Sequence, residues 1–149
     1  MLDWREYDRW MSQSLKTLEL VDADIAYKGY SWACFKSHQA AEFALKAILY
    51  LVGTPAFGHD LTRLLKEAEK TCGAPPRSVR VCASILDKMY IPPRYPDALP
   101  EGAPWEHYTL EEAENAKDCA ASIIKWVKEC ASRLKDLQGK EYEEEEGSR

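Results

Sequence analysis

The run Tyr30 to Tyr50, YSWACFKSHQAAEFALKAILY, constrains this chain more than any other segment. It reads as one strong helix whose apolar face carries a histidine and a glutamate. At ~100° per residue, Phe35, His38, Glu42, Leu45 and Leu49 fall within one narrow stripe, with Lys46 beside it. A stripe that meets a core excludes unpaired charge, because burying a lone carboxylate costs several kcal/mol. Such a helix belongs in a bundle where the polar groups find internal partners, or where the stripe lines a groove or a subunit interface.

The flanking segments carry the same period. From about Asp3 to Ala26, Trp4, Tyr7, Met11, Leu15, Leu18, Val21 and Ile25 recur in steps of three and four, an amphipathic helix. Tyr27-Lys28-Gly29 breaks it. The second helix spans about Tyr30 to Val52, with Gly53 as a left-handed cap and Pro55 as a stop. Two long helices so closely joined pack as an antiparallel pair. Asp60 caps a third helix, Leu61 to Lys70. A fourth covers roughly Arg77 to Met89, with Val81, Ile85 and Met89 at spacing four. Pro92, Pro93, Pro96, Pro100 and Pro104 make helix impossible over about Ile91 to Tyr108. A loop of that length in a small domain is usually functional or mobile. Thr109 to Glu112 forms a capping box that opens a fifth helix to about Leu137. No strand pattern occurs. The expected fold is all-α, an antiparallel bundle of about five helices. It forms one domain over 1–137, followed by a disordered acidic tail over 138–149.

Composition narrows the function classes. No apolar run approaches the ~20 residues of a membrane helix. The start, MLDWREYDRW, places charge where a signal peptide would be apolar, which favours a cytoplasmic protein. The net charge is −5, of which the tail supplies −3: Glu141, Glu143, Glu144, Glu145 and Glu146 against Lys140 and Arg149. The remainder lacks the global basic footprint of a nucleic-acid binder, although a local basic groove stays open. Cys34, Cys72, Cys82, Cys119 and Cys130 form no zinc spacing. They read as reduced, buried small apolar residues. Cys119 and Cys130 share a helix face ~16 Å apart and cannot bond to one another. A bridge such as Cys72 to Cys82 would fit a hyperthermophile source.

Three polar motifs attract chemistry: Ser37-His38-Gln39 with Glu42 and Lys46, Gly58-His59-Asp60, and Pro93-Arg94-Tyr95-Pro96-Asp97. HQAAEFALKA, then GHDLTRLL, then RYPDA, then a capped helix beginning EEAENA, resembles the HEPN family along nearly the whole chain, to about Lys135. The resemblance implies a bundle of four to five helices that commonly forms a homodimer. It also implies a nucleotide or short RNA as ligand, and a minimal nucleotidyltransferase as partner. Many members are metal-independent ribonucleases, including toxins of toxin–antitoxin pairs. Those carry an arginine, four to six residues, then a histidine. None of His38, His59 and His107 is preceded by arginine at that spacing, so the match is to the HQAxE branch.

The leading reading is a binding module with a polar groove bordered by His38, Glu42, Lys46, Arg94 and Tyr95, with no cofactor and no metal. Arg94 would grip a phosphate or carboxylate in a fork, and Tyr95 would stack on a base. The alternative is a small ribonuclease: His38 the base, Glu42 its orienter, and Arg94 the stabiliser of developing phosphate charge. The structural reading of the same residues is a closed network. Glu42 is then held by Arg94, Lys46 or a tyrosine hydroxyl, His59 is a loop residue packed on helix two, and Lys36 and Lys46 are solvated. Trp10 and Trp32 fall outside the helix-one stripe and suggest a subunit interface.

Overall fold

The computed structural model describes all 149 residues and contains six helices and no strand. α1 spans Trp4–Ala26, α2 Tyr30–Leu51, α3 Leu61–Cys72, α4 Arg77–Asp87, α5 Pro104–His107 and α6 Leu110–Gly147. α2 is the centre. It packs along α1 on one side and α6 on another, and the α3–α4 hairpin closes the remaining side against α2 and α6. Its buried Ala33, Ala40, Ala41, Ala44 and Ala47 allow the neighbours to come near, while Leu45, Ile48, Leu49 and Leu51 fill the core with Leu61, Leu64, Leu65, Leu86 and Ile123.

The expected punctuation is in place. Lys28 at φ 60° reverses the chain between α1 and α2, and Gly53 at φ 73° ends α2. The Asp60 carboxylate accepts from the Arg63 amide at 3.1 Å. Thr109 and Glu112 exchange side-chain-to-backbone bonds at 3.2 Å in the capping box of α6.

Three local readings are corrected. The proline-rich segment is not free of helix: Pro96–Ala98 forms a 3₁₀ turn and Pro104 opens the one-turn α5. Proline at the first helical position loses no hydrogen bond and presets φ. α6 runs to Gly147 instead of ending near Leu137. Gln, Lys and Glu are good helix formers, and the lone Gly139 is a penalty of only ~1 kcal/mol rather than a stop. Trp4 anchors this stretch, its indole N–H donating to Gln138 Oε1 at 2.9 Å with the Lys135 ammonium over its ring.

The cysteines are the third correction. Cys72 pairs with Cys130 and Cys82 with Cys119, at Cα separations of 5.4 and 4.9 Å. Cys119 and Cys130 do share one face of α6, and that face meets α4 and the end of α3, each bringing one cysteine. Cys34 alone is free; burial pushes its thiol up to about 12, with a smaller contribution from Glu112.

Candidate functional site

The second helix carries His38 and Glu42 inward, where they are 0% and 2% exposed. Glu42 is fully engaged. Its Oε2 accepts from Lys46 Nζ at 3.2 Å, and its Oε1 accepts from His59 Nδ1 at 2.7 Å. Lys46 is itself buried, 8% exposed, and lies over the Trp10 ring, so it is not a solvated lysine. Lys36 is not free either: it pairs with Asp24 at 2.9 Å.

His38 is held by other groups. Its Nε2–H donates to the backbone carbonyl of His59 at 2.9 Å, and its Nδ1 faces the Gln39 amide at 3.1 Å. The Gln39 atom at that distance is Oε1, and the His59 carbonyl, which only accepts, places a hydrogen on Nε2. Burial holds the His38 pKa below the ordinary histidine value, only partly opposed by these bonds and by the charges of Glu42 and Asp87. His38 therefore borders no groove: it is a neutral, internal clamp on the loop ahead of α3.

That loop carries the group that reaches the surface. Gly58 at φ 81° turns the chain, and Arg63 donates back to the Phe57 carbonyl. His59 follows, its side chain 47% exposed, with Nδ1 on Glu42 and its ring stacked on Tyr90 at 4.2 Å and 21°. Asp87 fixes the loop from the far side. Its carboxylate accepts from the Leu61 and Thr62 amides and the Thr62 hydroxyl at 2.7, 3.2 and 2.5 Å, a second cap on α3.

Arg94 does not bind Glu42. Its Nε donates to the Tyr90 carbonyl at 2.7 Å, and its guanidinium carbon lies 4.1 Å from the Phe35 ring centre, 4.5 Å from Tyr90 and 5.0 Å from Tyr95. Tyr95 is 46% exposed, and Trp32, also exposed, meets the edge of Phe35 at 6.3 Å. The predicted residues thus fall into two sets. His38, Glu42 and Lys46 form a buried network; Arg94 and Tyr95 form a surface cluster. Tyr90 joins them, touching His38, His59, Phe35 and Arg94. Sequence reasoning left out Tyr90 and Asp87; it read His59 as a loop residue packed on helix two, and the ring does lie against Glu42 of α2. The GHD turn placing His59 beside the cap of α3 is the signal that was available. No three metal-ligating side chains come together as a site.

Residues 7–130 match the HEPN domain. The chain belongs to the HEPN domain family. Its solved relatives include TT1696 from Thermus thermophilus, 39% identical, with a TM-score of 0.80 over 83% of this chain and 97% of that one. ST0689, an archaeal HEPN homologue, is 38% identical, with a TM-score of 0.69 over 82% and 94%. A HEPN domain protein of Thermotoga maritima is 33% identical, with a TM-score of 0.67 over 84% and 98%. No curated protein matches the chain. As a HEPN protein it is an all-α module, and no helix is long and apolar enough to cross a membrane.

Proposed function

We propose that this HEPN protein is a cytoplasmic, homodimeric binding module for a nucleotide or short RNA, working beside a minimal nucleotidyltransferase. One observation carries the reading: the Arg94 guanidinium is held over Phe35, Tyr90 and Tyr95 at the surface. A guanidinium fixed beside partly exposed aromatic rings offers a phosphate a fork and a base a stacking face. Arg94 and Tyr95 are the contact residues. His38, Glu42 and Lys46 serve from below, by holding His59 and through it Tyr90. The ribonuclease alternative with His38 as base gains nothing from this geometry, since both its ring nitrogens are engaged inside the protein.

Calorimetric titration with ATP, GTP and short single-stranded RNAs tests the reading. Binding is expected for at least one, weakened about tenfold or more by Arg94→Ala, as for loss of a charge-assisted contact. Silence with every ligand, together with failure to capture the nucleotidyltransferase, overturns it.

A further inference from the structure

His59 has two ring nitrogens in contrasting settings. Nδ1 lies 2.7 Å from a carboxylate that is 3% exposed and already paired with Lys46. A carboxylate only accepts, so Nδ1 carries the hydrogen, and in the neutral ring the lone pair is left on Nε2. Nε2 has no hydrogen-bond partner in the protein, and the side chain is half exposed. The ring is fixed on three sides: by Glu42, by the Tyr90 stack, and by the bond from His38 to its own carbonyl. The Arg94 cation lies against the same Tyr90 ring. The other histidines lack this arrangement. His38 is buried with both nitrogens engaged, and Nε2 of His107 bonds the Glu101 carbonyl at 2.7 Å.

We infer that Nε2 of His59 is a nucleophilic acceptor for a phosphoryl group, with Glu42 as the residue that positions the ring and Arg94, held against the Tyr90 ring on which His59 stacks, as the positive charge that draws a phosphate to this surface. The donor class is a phosphoanhydride such as a nucleoside triphosphate, or an N-phosphoryl compound. The Nε2 lone pair forms the N–P bond while the bond from phosphorus to its leaving group breaks. That electron pair departs with the nucleoside diphosphate, or with ammonia when phosphoramidate is the donor. Nδ1 keeps its hydrogen, so the ring becomes cationic as the bond forms, and the Glu42 carboxylate stabilises that charge. The inference does not depend on which nucleotide or RNA the surface cluster binds.

Phosphoramidate is the direct probe, because it needs no second enzyme. The full chain is incubated with it, and the acid-labile adduct is mapped by mass spectrometry at neutral pH. His107 is exposed and its Nδ1 makes no hydrogen bond in the protein, so that nitrogen is the internal reference for an accessible imidazole. His59 is expected to be modified about tenfold faster than His107, and Arg94→Met to slow His59 about tenfold without changing His107. Glu42→Gln is expected to do the same. If that variant fails to fold, Arg94→Met alone decides, since half-buried Arg94 makes no bond to the Glu42–Lys46 pair. Equal rates at His59 and His107, or no effect of Arg94→Met on His59, overturns the inference.

Discussion

Replacing Glu42 by alanine removes the one carboxylate at the centre of the site. Its side chain is 3% exposed and its Lys46 partner 10%, so this pair is screened little by water. Without Glu42 the Lys46 ammonium is left buried against Trp10 with no counter-charge, and the charge-assisted bond to His59 disappears. Breaking a buried pair from one side costs about 3–5 kcal/mol. In a domain of this size each kcal/mol shifts Tm by about 3 °C, so Glu42→Ala should melt about 10–15 °C lower. The double variant Glu42→Leu/Lys46→Met removes both charges and should return to within about 1 kcal/mol of wild type, because no ion is stranded. Thermal and urea unfolding followed by circular dichroism measure both. A loss below about 1 kcal/mol in the single variant, or equal losses in the single and the double, would refute the closed network.

Three further outcomes are expected. His38 is neutral in the fold with its pKa held below its unfolded value. Its contribution is therefore intact above about pH 6.5 and declines as pH falls toward the folded pKa, at up to about 1.4 kcal/mol per pH unit. His38→Gln should flatten the dependence of Tm on pH over that window, and an unchanged slope would contradict the assignment. Each cystine closes a long loop, with sequence separations of 58 and 37, worth about 4 kcal/mol alone and less together because one loop lies inside the other. Reduction should lower Tm by about 10–20 °C, and an unchanged Tm would remove the pairing. Deleting residues 139–149 removes exposed turns that the Trp4–Gln138 bond does not reach, so Tm should hold within about 2 °C; a larger fall would show that the acidic end packs on the domain.

What sequence could and could not convey divides along physical lines. Helix positions, the caps at Gly53, Asp60 and Thr109, and the inward direction of His38 and Glu42 depend on neighbours three or four residues away, so periodicity and cap chemistry revealed them. The links between helices follow from packing and leave no local trace. Asp87 on the start of α3, His59 on Glu42, and the two cystines all arise because the α3–α4 hairpin folds over α2 and α6. Lys46 looked solvated because a helical wheel shows one apolar stripe, whereas α2 is enclosed by neighbours on several sides. Arg94 looked like a partner for Glu42 by charge alone. The turn that follows α4 brings it onto the Phe35, Tyr90 and Tyr95 faces instead, and Glu42 is satisfied by groups closer to it.

The central claim is that a buried glutamate holds Nδ1 of His59 and leaves Nε2 open at the surface. Long-range ¹H–¹⁵N correlation spectra of the three imidazoles, recorded at a pH where the rings are neutral, read this without any ligand. The account predicts the Nδ1–H tautomer for His59 and the Nε2–H tautomer for His38, with Glu42→Gln loosening only the former. An Nε2–H tautomer at His59, or a freely averaging His59 ring in the wild-type protein, would contradict it.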